Sequence, residues 1–93
     1  MPVRVAVIGV GHLGQHHARL LASMDGVDLV GVCDVNRARA DEIGRKFGAP
    51  AFSDARELVG RVDAVTVAVP TVAHLDVGLP FLHAGVATLI EKP

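Results

Sequence analysis

A glycine-rich segment at residues 9–14 restricts the possible folds more narrowly than the rest of the sequence does. It reads GVGHLG and directly follows an apolar run at residues 3–8. An apolar run without polar alternation predicts a strand buried on both faces, as in a parallel sheet. After the glycines, apolar residues recur at helical spacing over residues 14–24. A buried strand, a glycine turn and a helix in this order are typical of the first unit of a doubly wound α/β sheet.

The same kinds of pattern predict four further strands and three further helices. The strands fall at residues 27–33, 51–52, 62–69 and 86–90. The helices fall at residues 36–47, at 54–59 with Ser53 or Asp54 as the cap, and at 71–84 with a kink or delayed start at Gly78 and Pro80. Asp54 and Glu57 have the spacing of a capping box. Strands joined by right-handed helical crossovers predict a doubly wound parallel α/β sheet of order 3-2-1-4-5.

Composition limits the size of the core and the classes of partner. A chain of 93 residues has room for one hydrophobic core, and an aromatic content of 3% leaves Val, Ala, Leu and Ile to build it. A formal net charge of −1 with only two lysines argues against nucleic acid or anionic lipid as a partner. Apolar runs stay below the roughly 18 residues of a membrane span, so we expect no membrane partner and a cytoplasmic protein. The lone Cys33 is expected to be a packing residue.

The GVGHLG segment is a candidate phosphate-binding loop. Gly9 would allow the tight turn, Gly11 the close approach of a pyrophosphate, and Gly14 the close packing of helix on strand. Free N–H groups at the helix start would bind the phosphates, and the side chain of His12 would face them. The cofactor-binding residues expected in this loop are Gly9, Gly11, His12, Leu13 and Gly14. An ordinary glycine turn is the alternative interpretation.

Asp34 ends the second predicted strand, twenty residues beyond Gly14. A carboxylate at this position binds the hydroxyl groups of the adenosine ribose and repels a 2′-phosphate, which favours NAD over NADP. Arg37 and Arg39 follow closely, and a guanidinium group folded back over the ribose would admit NADP as well. The alternative role of Asp34 is to cap the following helix.

Histidines are concentrated in the first predicted helix, at positions 12, 16 and 17. His12 and His16 have the spacing of a helical zinc pair, but a third ligand does not occur nearby in the sequence, so we do not interpret them as a metal site. His17 falls on the apolar stripe of the helix. It is expected to be buried with a hydrogen-bond partner.

Two further groups of candidate residues follow the fourth and fifth predicted strands, at the sheet edge where open α/β folds bind ligands. Pro70, Thr71 and His74 follow the fourth strand and are candidates for contact with the nicotinamide half of the cofactor. Thr71 as a helix cap and His74 as a surface residue are the alternatives. Glu91 and Lys92 follow the fifth strand, and a crowded lysine there can exchange a proton with a substrate hydroxyl. A solvated terminal lysine is the alternative.

Taken together, these motifs resemble the N-terminal, Rossmann-like domain of the Gfo/Idh/MocA oxidoreductases. The resemblance rests on the GVGHLG loop followed by His17-Ala18, Asp34 after the second strand, Pro70-Thr71 with His74, and Glu91-Lys92-Pro93. The glycine motif is shared by many nucleotide-binding proteins, whereas a Glu-Lys-Pro sequence in register with the other motifs is more specific.

The resemblance implies NAD(P)-dependent hydride transfer at a sugar or cyclitol hydroxyl. It further implies that Lys92 is catalytic and that Thr71, His74 and Glu91 line the nicotinamide ribose site. Residues 12–20, HLGQHHARL, are most similar to family members that oxidise nucleotide-linked amino sugars. Family members continue into a second α/β domain that binds the substrate, so we expect residues 1–93 to be a dinucleotide-binding domain without that second domain and inactive in isolation.

Alternative functions remain open at this point. One is a stand-alone nucleotide-binding or redox-sensing module without catalysis, and another is a segment with no natural role of its own. An S-adenosylmethionine methyltransferase also uses a glycine loop and an acidic residue after its second strand, but the spacing of the glycines argues against it. The fifth strand is expected to be an unpaired edge, which predicts self-association.

Overall fold

The computed structural model describes residues 2–68, 81 and 85–90 of the chain. Within these ranges, five parallel strands form one sheet: β1 (Val3–Ile8), β2 (Val27–Cys33), β3 (Ala51–Phe52), β4 (Ala64–Val67) and β5 (Ala87–Ile90). The connecting helices are α1 (His12–Ser23), α2 (Arg37–Phe47) and a short 3-10 helix at Ala55–Leu58. The strand order is β3-β2-β1-β4-β5, which confirms the predicted doubly wound parallel sheet.

The bounds of β1, β2 and β3 agree with the sequence prediction to the residue, whereas the starts of both helices differ from it. Helix α1 begins at His12, directly after Gly11, and so starts two residues before the predicted start at Gly14. An apolar stripe locates a helix along the chain but does not fix its first residue. Helix α2 begins at Arg37 because Asn36 is its cap and accepts a hydrogen bond from the N–H of Arg39.

The later elements are shorter than predicted. Strand β4 covers Ala64–Val67, the residues in register with β1 and β5, and residue 69 of the predicted strand lies outside the described ranges. The predicted helix at 54–59 is a 3-10 helix at Ala55–Leu58, and its cap Asp54 accepts from the N–H of Arg56 at 3.0 Å instead of forming the expected capping box with Glu57. Of the predicted helix at 71–84, only residue 81 lies inside the described ranges, so its predicted kink is outside them.

The sheet is covered on both faces, as the uniformly apolar strands predict. Ala6 and Ile8 belong to one buried cluster with Phe81 and residues of β4 and the 3-10 helix. Val7 belongs to the cluster on the opposite face, which includes residues of α1 and α2 such as Ala18. Successive residues of a strand point to opposite faces, so β1 supplies both clusters and is the centre of the fold.

Cys33 at the end of β2 is buried, with 3% of its surface exposed. Burial and the negative charge of the adjacent Asp34 raise the pKa of its thiol to about 11. The expectation that Cys33 is a packing residue is therefore confirmed. None of the helices in the described ranges has the length and hydropathy needed to cross a lipid bilayer.

Candidate dinucleotide-binding site

The loop between β1 and α1 is fastened to the end of β2. The N–H of Gly9 donates to the carbonyl oxygen of Cys33 at 2.7 Å, so the loop begins where two neighbouring parallel strands end side by side. Gly9 has a φ of 90°, a conformation that residues with a side chain rarely adopt. The chain therefore turns out of the sheet at Gly9 and enters α1 within three residues.

Gly14 and Gly11 have opposite surroundings. A Cβ atom on Gly14 would lie 1.6 Å from the carbonyl oxygen of Gly9, so only glycine allows α1 to pack this closely on the end of β1. A Cβ atom on Gly11 would meet nothing within 4 Å. The backbone at Gly11 therefore borders open space in which a ligand can approach it.

The N-terminus of α1 begins at this open space. No side chain caps it, and its first turn holds no acidic residue. The first N–H groups of a helix have no partner within the helix, and they carry a partial positive charge. Such an N-terminus favours a phosphate group. The open space beside Gly11 and the uncapped helix therefore fit the pyrophosphate of a dinucleotide.

Asp34 lies beside the glycine loop, at the carboxyl end of β2. Its Oδ2 accepts from the N–H of Val10 at 3.0 Å, and its Oδ1 accepts from the N–H of Asn36 at 2.9 Å. The cap of α2 is Asn36, so the alternative role of Asp34 as helix cap is not observed. A carboxylate oxygen can accept more than one hydrogen bond, so Asp34 retains capacity for the hydroxyl groups of a ribose.

The two arginines that follow Asp34 have different partners. Arg37 forms an exposed ion pair with Asp41, with 3.1 Å between Nε and Oδ1. Arg39 reaches the glycine loop instead: its Nε donates to the carbonyl oxygen of Val10 at 2.9 Å, and its Nη2 donates to Oε1 of Gln15 at 3.4 Å. Sequence reasoning selected Arg37 and missed this contact of Arg39.

Val35 is a second feature that the sequence did not single out. It directly follows Asp34 and is 94% exposed, the most exposed large apolar side chain of the described residues. An apolar side chain left in water beside the Asp34 carboxylate offers a surface for a flat, apolar ring. A signal was present in the sequence, because Val35 breaks the polar character expected of a segment between a strand and a surface helix.

The histidines of α1 do not form a common site in the structure. His16 is exposed, and the distance between its Nδ1 and Nη2 of Arg19 is 3.1 Å. His17 is half-buried, and its Nδ1 has no hydrogen-bond partner among the described residues, so the predicted partner is not observed at this atom. The side chains of His12 and Leu13 lie outside what the structure describes. In the described part of the chain, no three potential metal ligands come together.

The candidate residues for the nicotinamide half lie outside the described ranges. They are Pro70, Thr71, His74, Glu91 and Lys92. Strands β4 and β5 pair in parallel up to Val67 and Ile90, so their carboxyl ends meet at the same edge of the sheet as those of β1 and β2.

The sheet order, the glycine loop and the carboxylate at the end of β2 together define a dinucleotide-binding Rossmann domain. Residues 3–93 match the model of the Gfo/Idh/MocA group, described as an oxidoreductase family with an NAD-binding Rossmann fold. The chain belongs to this family, which confirms the resemblance that the motifs indicate and removes the methyltransferase alternative.

Proteins similar to this chain include two that are named as dehydrogenases. The UDP-N-acetylglucosamine 3-dehydrogenase of Acidithiobacillus ferrooxidans is 43% identical over 91 residues, which are 98% of this chain and 28% of that protein. The scyllo-inositol 2-dehydrogenase (NAD(+)) of Bacillus subtilis is 37% identical over 95 residues, with 98% and 28% covered. The crystal structure of GenD2 from gentamicin A biosynthesis in complex with NAD superposes with a TM-score of 0.93 at 32% identity, covering 99% of this chain and 27% of that one.

The chain thus spans a little over a quarter of the length of the relatives it matches. Their names do not favour the alternative of a redox-sensing module without catalysis.

Proposed function

We propose that residues 1–93 are the NAD-binding domain of a dehydrogenase that oxidises a hydroxyl group of a sugar or cyclitol. The open space beside Gly11, in front of the uncapped N-terminus of α1, is the observation that carries the proposal. The dinucleotide pyrophosphate is an anion of the size and charge that such a helix N-terminus binds. The family's NAD-binding description supports the same ligand.

The adenosine half of the cofactor would bind at Asp34 and Val35. The Asp34 carboxylate would accept hydrogen bonds from the ribose hydroxyl groups, and the exposed Val35 would contact the adenine ring. The negative charge of Asp34 disfavours a 2′-phosphate. Arg37 is already engaged with Asp41, and Arg39 with the glycine loop, so neither offers an uncommitted guanidinium group. We therefore propose a preference for NAD over NADP.

The nicotinamide half would be bound by Pro70, Thr71, His74 and Glu91. This part of the proposal rests on the family resemblance, since these residues lie outside the described ranges. Bound NAD supplies the acceptor for a hydride from the substrate carbon. Nζ of Lys92 would take the proton of the reacting hydroxyl group, a role open to a lysine whose pKa is lowered by its surroundings.

The whole protein would bring its substrate to this edge of the sheet through a second domain, in the part of the relatives that this chain does not span. The 43% identity to a UDP-N-acetylglucosamine dehydrogenase favours a nucleotide-linked amino sugar as the substrate. Cyclitols are the second candidate, because the scyllo-inositol dehydrogenase is 37% identical. Hydride transfer by residues 1–93 alone is not expected.

The test is calorimetric titration of the chain with NAD and with NADP, for the unchanged protein, Asp34→Ala and Asp28→Ala. Asp28 is the matched control, because it is an exposed aspartate on the same strand near its opposite end. We expect the unchanged chain to bind NAD saturably. D34A should weaken this binding about tenfold or more, which corresponds to the loss of one charge-assisted hydrogen bond. D28A should leave NAD binding unchanged. We expect NADP to bind more weakly than NAD. D34A should reduce the difference between the two affinities, because it removes the negative charge that repels the 2′-phosphate.

A chain that binds neither nucleotide would contradict the proposal. An equal loss of NAD affinity in D34A and D28A would show that Asp34 has no specific role in binding, and the assignment of an NAD-binding domain would still stand.

Self-association through β5 stays a prediction. In the described sheet β5 lies at one edge, with β4 as its neighbour. An edge strand offers unpaired backbone groups to a second chain. Light scattering at high protein concentration should show a dimer or a larger species, and a clean monomer would contradict the prediction.

A further inference from the structure

Two consecutive peptide units of the glycine loop are held by side chains from other elements. Oδ2 of Asp34 accepts from the N–H of Val10, and Nε of Arg39 donates to the carbonyl oxygen of the same residue. The side chain of Val10 is fully buried. The loop is therefore anchored at Val10 by its side chain and by both of its backbone groups, without any ligand.

Arg39 occupies a position where helix electrostatics disfavour a cation. It is the third residue of α2, whose first turn contains no acidic residue, and the partial positive charge of a helix N-terminus repels a guanidinium group. Arg37 in the same turn is compensated by Asp41. Among the described residues, no carboxylate oxygen lies within 4.0 Å of the Arg39 side chain, and its partners are a carbonyl and an amide oxygen. A residue that breaks a local rule in this way is expected to serve a tertiary role.

The contact at Val10 determines the orientation of the peptide unit between Val10 and Gly11. The described chain has no cis peptide bond, and in a trans peptide the C=O and N–H groups point in opposite directions. Binding the Val10 oxygen to Arg39 therefore turns the Gly11 N–H away from the guanidinium group. Rotation of this unit would exchange the two directions and place a carbonyl oxygen, which repels phosphate, where an N–H group now points.

Gly11 makes such a rotation easier. The rotation changes ψ of Val10 and φ of Gly11, and Gly11 has no Cβ atom, so it tolerates φ values that other residues do not. Nothing lies within 4 Å of the Cβ position of Gly11 to oppose a change there. The N–H of Gly9 and the carbonyl oxygen of Gly11 are bound to Cys33 and Gln15, and the N–H of Val10 donates to Asp34. Among the described residues, the bond from Arg39 is the hydrogen bond made to the Val10–Gly11 peptide unit itself.

We propose that Arg39 is a positioning residue that holds the Val10–Gly11 peptide unit in the orientation that accepts a pyrophosphate. Its second bond, to Gln15, joins the same guanidinium group to α1, so one side chain links the loop with the first turns of both helices. Arg39 acts through the loop backbone and not by touching the cofactor. The inference rests on the proposed function in one respect, since that function identifies the ligand as a dinucleotide. The effect of Arg39 on the conformation of the loop does not depend on the proposed function.

The test compares three variants of the chain. Arg39→Met removes all donors and keeps the apolar stem, Arg39→Lys keeps the charge without the planar fork, and Arg37→Met is the matched control on the same turn. The dissociation constants for NAD and NADP are measured by calorimetry. Nitrogen-15 relaxation dispersion of the Gly9 and Gly11 amides is measured without ligand, and thermal unfolding shows whether each variant is folded.

We expect R39M and R39K to weaken NAD and NADP binding by the same factor, about tenfold, as for the loss of one charge-assisted hydrogen bond. R37M should change binding by about twofold or less, because an exposed ion pair contributes little. In the ligand-free chain, the Gly11 amide should show exchange on the microsecond to millisecond timescale in both Arg39 variants and not in R37M. If R39M does not fold, R39K carries the comparison.

Three results would overturn the inference. Unchanged binding in R39K would show that charge alone is required. Weakened NADP binding with unchanged NAD binding would show that Arg39 contacts a 2′-phosphate directly. Unchanged Gly11 relaxation in the Arg39 variants would show that the loop does not depend on Arg39. If the unchanged chain does not bind NAD, the proposed function fails, and the relaxation measurement still decides the role of Arg39.

Discussion

Replacing Gly14 with alanine is expected to destabilise the fold, because the added methyl group has no room. A Cβ atom at this position would lie 1.6 Å from the carbonyl oxygen of Gly9 and 2.7 Å from its carbonyl carbon. Both atoms belong to the backbone, so no rotation of a side chain relieves the clash. Helix α1 and the end of β1 would have to separate by about 2 Å to reach an ordinary contact distance.

The cost of that separation exceeds the gain in helix propensity. Overpacking a well-packed site costs about 1–3 kcal/mol, and a clash between backbone segments belongs at the upper end of that range. Alanine in place of glycine in a helix returns at most about 1 kcal/mol. We therefore expect a net loss of about 2 kcal/mol in the free energy of unfolding. For a domain of this size, that corresponds to a melting temperature lower by about 10 °C.

Urea and thermal denaturation followed by circular dichroism measure this loss, and Gly11→Ala is the control. Its Cβ atom would meet nothing within 4 Å. In G11A, alanine is a poorer helix cap than glycine, which destabilises the fold by about 0.5–1 kcal/mol. Alanine also reduces the entropy of the unfolded chain, which stabilises the fold by a similar amount. The unfolding midpoint of G11A should therefore be close to that of the unchanged chain. G11A should nevertheless weaken NAD binding, because its methyl group enters the space proposed for the pyrophosphate. Equal unfolding midpoints for G14A and G11A would refute the argument from close packing.

Three further predictions concern other parts of the fold. The pKa of about 11 and the burial of Cys33 predict that its thiol resists alkylation at pH 8 until the chain unfolds, and rapid labelling of the folded chain would contradict this. The hydrogen bonds and charge of Arg4 lower the pKa of Asp63. This pair should therefore stabilise the chain above the unfolded-state pKa near 3.8 and lose its effect as the pH falls through the lower folded-state pKa. The difference in unfolding free energy between the unchanged chain and Asp63→Ala should shrink towards zero in acid. Asn36→Ala should cost about 1 kcal/mol through the loss of the α2 cap, with Asn36→Asp close to neutral in the same denaturation assay.

Much of the fold follows from patterns that are local in the sequence. The strands β1, β2 and β3 have their predicted bounds, because fully buried parallel strands are apolar throughout and are ended by residues that break the pattern. The glycine motif predicted a turn at Gly9 and a close approach at Gly14, since both follow from the absence of a side chain. The helix starts were less predictable, because an apolar stripe locates a helix along the chain but does not fix its first residue.

The partners of polar side chains were not predictable in the same way. His17 was expected to have a hydrogen-bond partner, but a helical stripe shows only that the residue faces the sheet and not what it meets there. Likewise, Arg37 and Arg39 are equivalent in the sequence as basic residues after Asp34. Their positions on α2 differ by about half a turn of helix, which places one beside Asp41 and the other on the glycine loop.

The sequence by itself therefore determined the order and class of the elements, the glycine loop and the acidic residue beside it, because burial periodicity and the conformational freedom of glycine act over a few neighbouring residues. Only the tertiary structure decided that Arg39 binds Val10 across a separation of 29 positions and that Asp34 binds the loop N–H group. Such contacts depend on how the ends of β1 and β2 and the start of α2 meet in space, and no short-range pattern specifies that arrangement.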